Sequence, residues 1–538
     1  MDLSIEGNLE RVQRVIAHRR NDERIKDVAR QVSAASSSSG LSKHKPVMVF
    51  NASTRLGGVS LNAAFALLTG WAMQLEGVPV VHFICDRGMT RCVLGTNCKN
   101  PGKEPPCAAC VKQSLVNTTD ARVIELKKKD NRDLRAMVAG LPLEKLLTFE
   151  YQDVPLGTLV LPSLRWILRR NTLMDDSQTR FLMQEYLLSA HRVVTRFEEA
   201  LNEIDPAAVL VFNGQFFPEA SAAWAARKRG IRVISHEVGL MPFTGYFTPG
   251  EATAYPIDIP SEFELSSGQN ARLDTYLSKR FQGDFSMAGI RFWPEMQGLD
   301  QAFLRQAAGF KQIASVFTNV IFDTSQGHAN TLFTDMFVWL YTLLEVIRAH
   351  PETFFVIRAH PDEKRPGKES RETVAEWIHA SGCDTFANVH FVDADEPFSS
   401  YDLIRRSKLI LVYNSTIGLE ASIMGMPVLC AGKARFTQVP SVFSPGSIAE
   451  YLRMVEDFLT ASDVKAPPEH QRNARRFLYY QLFRSSLPFD AFLEEDRFWK
   501  GYVTLKPFDI DALRRQNSVT LDTILHGILE HGDFLLPE

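Results

Sequence analysis

The chain carries almost no net charge for its size. Its 538 residues include 60 Lys and Arg against 63 Asp and Glu, which gives a formal net charge of -3. Proteins that bind nucleic acid depend on a field of positive charge, and this chain lacks one. Nucleic acid is therefore not an expected partner.

Long apolar runs and targeting signals are also lacking. No apolar run reaches the roughly 18 residues that a membrane-spanning helix needs, and the first residues do not follow the order of a secretory signal. We therefore expect a cytoplasmic protein. The segment 165–170 mixes Arg with Trp, Ile and Leu. A half-buried helix is the favoured interpretation, and peripheral contact with the inner face of the membrane or with a polysaccharide-assembly partner is the alternative.

Cysteine is scarce and unevenly placed. Of seven cysteines, five lie between Cys85 and Cys110, in a stretch rich in Gly and Pro. This distribution is unlike the disulfide framework of a small secreted domain. Cys107 and Cys110 have the two-residue gap that lets two thiolates bind one ion. One hypothesis is a structural zinc or iron-sulfur site formed by Cys92, Cys98, Cys107 and Cys110; the alternatives are buried free thiols and a redox pair.

Apolar residues, in contrast, make up 45% of the chain, which is enough for the cores of two or three domains. Residues 1–45 predict a helical arm and a Ser-rich linker. Apolar runs and helical stretches then alternate over 46–86 and again over 208–239. This order implies parallel strand pairing, so 46–300 is predicted to form a Rossmann-like domain with a Cys-rich loop at 85–110.

The alternation restarts near residue 316. Five short apolar runs separated by helical stretches predict an open parallel sheet, and hence a second Rossmann-like domain over 301–445. The charged and aromatic residues of 446–538 predict a helical tail that packs across both domains. The expected fold class is α/β, with two doubly wound domains that face each other.

Two strand ends of the second domain carry polar residues that suit an anion. Ligands of open parallel sheets bind at the carboxyl ends of the strands. The first such end is Arg358-Ala359-His360-Pro361, where Arg358 and His360 supply donors and Pro361 stops the strand. An Arg or His at a strand end is also common for purely structural reasons, so this feature alone does not decide the matter.

The second strand end is Asn414-Ser415-Thr416-Ile417-Gly418-Leu419-Glu420-Ala421. Hydroxyl residues before a helix can bind phosphate together with the free N-H groups of its first turn, and Gly418 lets the backbone approach a ligand closely. Glu420 is placed to reach ribose hydroxyls. Simple N-capping by Ser415 and Thr416 is the structural alternative. Lys433, after the next strand, would add a cation.

These motifs, followed by Gly425-Met426-Pro427-Val428, resemble the bacterial capsule polysaccharide biosynthesis family of GT-B glycosyltransferases, which includes Kdo transferases. The resemblance covers roughly 315–440 and implies a GT-B fold and a nucleotide-sugar donor. The His-Pro and Ser-Thr pairs are also similar to motifs of bacterial sialyltransferases, which favours a CMP-sugar narrowly over a UDP- or GDP-sugar. The sequence at 433–438 departs from the Kdo transferase pattern, so the donor sugar stays open.

Sugar transfer needs a base for the acceptor hydroxyl and donors for the departing phosphate. Arg358, His360, Asn414, Ser415, Thr416, Gly418, Glu420 and Lys433 are the expected donor-binding residues, with His360 also counted as catalytic. Glu237 and Asp86, at strand ends of the first domain, are the candidate bases, each with an acidic cap or ion pair as its alternative. No Asp-x-Asp sequence stands out as a metal clamp, so we expect metal-independent catalysis that requires no cofactor.

The loop Arg55, Gly57, Gly58 resembles the glycine-rich first turn of GT-B acceptor domains, and a plain tight turn is the alternative. The favoured function is a glycosyltransferase that moves a sugar to a saccharide or lipid-linked acceptor during surface polysaccharide biosynthesis. A sugar-nucleotide epimerase or hydrolase of the same fold and a non-catalytic scaffold are the competing hypotheses.

Overall fold

The computed structural model describes residues 5–37, 44–53, 57–282 and 296–538. The described strands are β1 (Val47–Asn51), β2 (Val59–Ser60), β3 (Val80–Asp86), β4 (Arg122–Lys127), β5 (Ala208–Phe212), β6 (Arg232–Val238), β7 (Thr244–Thr248), β8 (Gln312–Phe317), β9 (Thr353–Arg358), β10 (Val389–Val392), β11 (Leu409–Val412), β12 (Val428–Cys430), β13 (Leu487–Pro488), β14 (Leu493–Glu495) and β15 (Tyr502–Leu505).

One α-helix precedes the first strand, and the others are distributed along the chain as far as Leu529. They are α1 (Ile5–Ser37), α2 (Leu61–Leu75), α3 (Cys107–Asn117), α4 (Arg132–Val138), α5 (Leu143–Leu147), α6 (Leu156–Leu168), α7 (Ser177–Ile204), α8 (Phe217–Lys228), α9 (Ser267–Phe281), α10 (Gln301–Ala307), α11 (Gln326–Ala329), α12 (Met336–Ala349), α13 (Val374–Ser381), α14 (Ser400–Arg406), α15 (Ile417–Ile423), α16 (Ile448–Thr460), α17 (Pro468–Tyr479) and α18 (Val519–Leu529).

The first sheet has seven strands in the order β13-β7-β6-β5-β1-β3-β4. Strands β6, β5, β1, β3 and β4 are parallel, whereas β7 and β13 are antiparallel to their neighbours. The first four residues of β1 are apolar and buried, as expected for a parallel strand with helices on both faces of the sheet. The strand order reverses between β1 and β5, so ligands are expected where those two strands end.

The second sheet has five parallel strands in the order β10-β9-β8-β11-β12. Here the order reverses between β8 and β11, and β9 lies on the other side of β8. The carboxyl ends of these three strands are Phe317, Arg358 and Val412. The predicted rim motifs therefore begin at the strand ends that surround the switch point.

Local capping and core packing fix the helices of the second domain. Helix α12 begins after Asp335, whose Oδ1 accepts hydrogen bonds from the N-H groups of Phe337 at 2.8 Å and Val338 at 3.0 Å. Trp339 is fully buried, and its Nε1 donates to the hydroxyl of Tyr451 on α16 at 2.7 Å. This bond ties two helices together on one face of the sheet.

The end of α6 contacts the second domain. The guanidinium of Arg169 lies over the rings of Trp166, at 4.1 Å, and of Phe322, at 5.1 Å. Glu372 Oε2 accepts hydrogen bonds from the N-H groups of Asn171 at 2.8 Å and Thr172 at 2.9 Å. The segment 165–170, for which a half-buried helix was the favoured interpretation, thus packs against the second domain.

The chain after residue 446 returns to both domains. Helix α17 packs on α15 and α9, and α18 packs on α2. Strand β13 pairs with β7, while β14, β15 and β2 form a small antiparallel sheet. The tail therefore also contains three short strands, which the sequence patterns did not predict.

The two sheets and their helices confirm the predicted fold class, in which two Rossmann-like domains face each other in the GT-B arrangement. Within the described residues, no helix is both long enough and apolar enough to cross a bilayer.

Candidate active site

Two large cavities lie at the carboxyl ends of the two sheets. The first-sheet cavity, of about 580 Å³, lies beside the ends of β1 and β5. The second-sheet cavity, of about 290 Å³, lies between the second sheet and loops of the first domain. A small pocket of about 130 Å³ adjoins it and shares His360, Ser415 and Thr416 with it. Asp323 lines both large cavities, so the two are neighbours.

Arg358 is a buried cation in the wall of the small pocket. Its side chain is 6% exposed, its Nη2 donates to the carbonyl of Glu396 at 3.5 Å, and its Nη1 has no hydrogen-bond partner among the described residues. Burial lowers the pKa of Arg358 to about 10, which leaves the guanidinium charged at neutral pH. A buried guanidinium with an unsatisfied N-H beside a cavity is suited to bind an anion.

His360 lines both the small pocket and the second-sheet cavity. Its Nδ1 accepts a hydrogen bond from the N-H of Asp362 at 3.1 Å, which assigns the ring proton to Nε2. Burial lowers the pKa of His360, and the nearby carboxylates of Asp362 and Asp323 act in the opposite direction. The ring is therefore neutral at pH 7, and its Nε2-H is a hydrogen-bond donor for a ligand.

Ser415 and Thr416 line the same two spaces. Helix α15 has only seven residues, and Thr416, which precedes it, makes no side-chain capping bond. Simple N-capping is thus not the role of Thr416. The adjacent Asn414 accepts a hydrogen bond from Asn319 at 2.7 Å, which joins the ends of β11 and β8.

Gly418 and Lys433 differ in their relation to the second-sheet cavity. A Cβ at Gly418 would lie 3.0 Å from a methyl group of Val412 and 3.1 Å from the ring of Phe436. Gly418 therefore serves the packing of α15 on β11 and does not line the cavities. Lys433 is exposed and lines the second-sheet cavity.

Glu420 is already engaged by two partners. Its Oε1 accepts from Nε of Arg280 at 2.7 Å and its Oε2 accepts from the hydroxyl of Tyr401 at 2.6 Å. The carboxylate, 4% exposed, also lines both spaces. Arg280 on α9 thus holds the carboxylate that the sequence offered for ribose, and only the remaining lone pairs of Glu420 can accept from a ligand.

Glu237 lines the first-sheet cavity at the end of β6. Its Oε2 accepts from Asn213 at 2.8 Å, and its Oε1 accepts from Asn62 at 3.2 Å and from the N-H of Val238 at 2.9 Å. Burial raises the pKa of Glu237, and these donors act in the opposite direction. The neighbouring His236 is buried, which lowers its pKa to about 3 and keeps it neutral. Glu237 is therefore a carboxylate fixed by two amides at a cavity wall.

Glu219 is a second carboxyl group of the same cavity, and the sequence patterns did not single it out. It lies in the first turn of α8 and is 1% exposed. Ser53 donates a hydrogen bond to its Oε1, whereas its Oε2 has no partner among the described residues. Burial raises the pKa of Glu219 to about 8, so it is mostly protonated at pH 7. The only sequence signal was an acidic residue two positions after the Phe217 that begins the helix.

Three residues of the first domain that the sequence predicted for the site do not line the first-sheet cavity. Asp86 ends β3, next to Lys127 of β4, and lines neither large cavity. Gly58, with φ at +152°, packs against Tyr502, whose ring would lie 2.6 Å from an added Cβ. Gly57, with φ at +68°, is exposed, and the prediction for Arg55 falls outside the described residues.

The cysteines group differently from the prediction. Cys85, Cys92, Cys107 and Cys110 line one cavity of about 30 Å³, whereas Cys98 does not line it. In the structure Cys85, and not Cys98, belongs to the group of four cysteines that shares this cavity. None of the seven cysteines, all of which lie within the described residues, forms a disulfide. Burial raises the pKa of Cys92 and of Cys110 to about 12.

Carboxylates in the second domain offer no obvious metal clamp. The sequence Asp393-Ala394-Asp395 has the Asp-x-Asp form, but its two carboxylates accept hydrogen bonds from Lys364 Nζ at 2.6 Å and 2.8 Å. In the part of the chain that the structure describes, no group of three or more His, Cys, Asp or Glu side chains is arranged to hold a metal ion.

Several solved structures are similar to the chain at low identity. A beta Kdo 2,7 transferase, KpsC of Thermosulfurimonas dismutans, is 14% identical over 55% of this chain and 84% of that chain, with a TM-score of 0.32. The UDP-GlcNAc 2-epimerase of Neisseria meningitidis, solved bound to UDP-GlcNAc, is 14% identical over 81% of this chain and 99% of its own, with a TM-score of 0.24. No curated protein matches.

A family model matches the second domain. Residues 308–439 fit the model described as capsule polysaccharide biosynthesis protein. The matched segment contains Arg358, His360, the 414–420 motif and Lys433. The match over residues 308–439 agrees with the family resemblance that the rim motifs predicted.

Proposed function

We propose that the chain is a GT-B glycosyltransferase of surface polysaccharide biosynthesis, which moves a sugar from a nucleotide-sugar to a saccharide or lipid-linked acceptor. The observation that carries this proposal is the environment of Arg358. A buried guanidinium with one unpartnered N-H faces a pocket at the sheet switch point, inside the segment that matches the capsule family. Such a group is costly to bury unless an anion binds beside it, and a nucleotide phosphate is that anion.

The departing phosphate lies where the small pocket, lined by Arg358, opens into the second-sheet cavity. Arg358 stabilises its developing charge, and the Nε2-H of neutral His360 and the hydroxyls of Ser415 and Thr416 donate to its oxygens. Lys433 adds a positive charge at the same cavity. These donors perform the task of a metal ion, and the transfer is metal-independent in this proposal.

The small pocket is suited to the nucleobase. Its walls include the apolar side chains of Met296, Phe317 and Phe398, and its volume is about 130 Å³. A space of this size favours a one-ring pyrimidine over a purine. A GDP-sugar therefore ranks last, and the resemblance of the His-Pro and Ser-Thr pairs to sialyltransferase motifs places a CMP-sugar narrowly ahead of a UDP-sugar.

The acceptor lies in the first-sheet cavity, and Glu237 is its base. Glu237 takes the proton of the acceptor hydroxyl, the acceptor oxygen bonds to the anomeric carbon, and the bond from that carbon to the phosphate oxygen breaks with its electron pair on the phosphate. The amides of Asn62 and Asn213 orient Glu237 for this step. Glu219, protonated at pH 7, donates a hydrogen bond to the acceptor.

Thermal stabilisation by CMP-, UDP- and GDP-sugars identifies the donor, because a ligand that binds only the folded state raises the melting temperature. Consumption of the donor identified in this way is then measured with and without oligosaccharide acceptors from bacterial surface glycans. We expect consumption only when an acceptor is present. Acceptor-free isomerisation or hydrolysis would replace the proposal with an epimerase or hydrolase, and no stabilisation by any sugar nucleotide would favour a scaffold.

A further inference from the structure

The four cysteines that share a cavity are not explained by sugar transfer. Cys85, Cys92, Cys107 and Cys110 come from three separate elements: the end of β3, the loop after it and the first turn of α3. The rest of the cavity wall is mostly apolar and includes Met89, Leu94, Pro105, Pro106 and Val111. The two cysteines of the second domain, Cys383 and Cys430, are buried singly and serve as ordinary core residues.

Two of the four sulfur atoms lie in the same kind of turn. The N-H of Gly88 donates to Sγ of Cys85, and the N-H of Gly95 donates to Sγ of Cys92, each at 3.3 Å. Both turns have the sequence Cys-x-x-Gly. Backbone N-H groups aimed at sulfur stabilise negative charge on it, and hydrogen bonds of this kind tune cysteine-ligated clusters.

The glycines of these turns are required by close packing. A Cβ at Gly88 would lie 2.3 Å from the carbonyl oxygen of Leu126, and one at Gly95 would lie 2.8 Å from Pro105. The backbone is therefore pressed against its neighbours at both turns. This packing fixes the N-H groups in place beside the two sulfur atoms.

The loop between the turns and α3 is held by buried polar groups. Arg91, 7% exposed, donates to the carbonyls of Pro101 at 2.9 Å and Gly102 at 2.8 Å. Thr96 donates to the carbonyl of Cys92 at 2.8 Å and accepts from the buried Tyr186 at 3.0 Å. Cys107 and Cys110, three residues apart, lie on one face of α3. The four sulfur positions are thus set by the fold.

Four cysteine thiolates are the ligand set of the common iron-sulfur clusters. Thiolates that share one Zn²⁺ each lie about 2.3 Å from it, so their sulfur atoms converge on one point. In an iron-sulfur cluster several irons and inorganic sulfides stand between the four thiolates, which are therefore further apart.

We propose that Cys85, Cys92, Cys107 and Cys110 hold an iron-sulfur cluster. Ser53 and Leu94 line both the cysteine cavity and the first-sheet cavity, so the cluster lies behind the wall of the acceptor site. Because Ser53 donates to Glu219, the cluster is a structural group that fixes this wall. This role is independent of the proposed sugar transfer.

Purification without oxygen, followed by reconstitution with ferrous iron and sulfide, tests the site. We expect the wild-type chain to gain a visible absorption band and to hold about two or about four irons with equal sulfide, the contents of the common four-cysteine clusters. Iron content of the wild type does not depend on the folding of any variant. Stoichiometric zinc without iron, or no bound metal, would overturn the proposal.

Variants then identify the ligands. Cys85→Ser and Cys110→Ser should each lose most of the iron and the absorption band, whereas the matched control Cys98→Ser should keep both. Equal loss in Cys98→Ser, or full retention in the other two, contradicts the assignment. Circular dichroism reports the fold of each variant, and donor binding, measured in parallel, separates failure of the cluster from failure of the proposed transferase.

Discussion

The rims of the two sheets differ in how their polar groups are assembled. In the second domain Arg358 ends one strand and His360 lies two residues beyond it, while Ser415 and Thr416 follow another strand. In the first domain Glu237 depends on Asn62 and Asn213, which lie 175 and 24 residues away along the chain. The donor rim is therefore encoded in short motifs, and the acceptor rim is assembled only by the tertiary fold.

The rims also differ in charge. The second-sheet rim presents a buried cation and neutral donors, which suit a phosphate. The first-sheet rim presents two buried carboxyl groups whose pKa values burial raises. In the proposed function one rim binds an anion and the other accepts a proton, so variants of the two rims should lose different steps of the reaction.

The largest expected effect is on the acceptor rim. Glu237→Gln should lower kcat by about 10²- to 10⁴-fold, the usual contribution of a general base, and leave donor binding unchanged. The single amide oxygen of Gln can still accept from Asn62 and from the N-H of Val238, and only the bond from Asn213 is lost, so the melting temperature of the variant is measured alongside. Steady-state kinetics and donor titration measure the two effects. Retention of kcat would exclude Glu237 as the base, and Glu219→Gln would then be tested for the same loss.

The pH dependence of the free energy of unfolding should report the protonation of Glu219. Its pKa is about 8 in the folded chain against an ordinary 4.5, so the folded state keeps a proton that the unfolded state releases between these values. Stability therefore falls as pH rises from about 4.5 to 8. Glu219→Gln should reduce this fall by up to a few kcal/mol, since one pKa unit corresponds to about 1.4 kcal/mol.

Glu363 is the matched control for Glu219. Burial raises its pKa to about 8 as well, but it accepts from the N-H of Val374 and lines neither large cavity. Glu363→Gln should change the pH profile of melting temperature in the same direction without changing sugar transfer, whereas Glu219→Gln should change both. If both variants transfer sugar at the wild-type rate, Glu219 has no role in acceptor binding.

The smallest expected effect is at the hydroxyls of the donor rim. Ser415→Ala should weaken nucleotide binding by about 0.5–1.5 kcal/mol, the usual net contribution of one hydrogen bond, with little change in melting temperature. Ser422→Ala, in the helix that follows Ser415, removes a buried bond to the carbonyl of Ser441 and should lower stability without affecting binding. The opposite pattern would mean that Ser415 is structural.

Sequence patterns identified the candidate site residues that lie at strand ends. The doubly wound fold, Arg358 and His360 followed from apolar runs and the residues after them. Asp86 was chosen by the same rule, but β3 lies outside the switch point, which only the strand order reveals. Glu219 carries no motif, and its partner Ser53 is 166 residues away.

Packing explains other differences between sequence and structure. Gly418 was expected to face a phosphate, and it instead allows α15 to approach β11. Cys98 was chosen over Cys85 because spacing along the chain does not show which cysteines meet in space. The binding of Glu420 by Arg280 depends on a helix 140 residues earlier, which no local pattern predicts.

Nucleotide titration of Arg358→Met tests the central claim most directly. The account predicts that binding of CMP or UDP weakens at least about tenfold, since hydrogen bonds to charged groups contribute about 1.5–3 kcal/mol. The melting temperature should stay the same or rise, because an apolar side chain replaces a buried cation with an unpartnered N-H. Unchanged nucleotide binding together with a lower melting temperature would show that Arg358 is structural and would contradict the donor site.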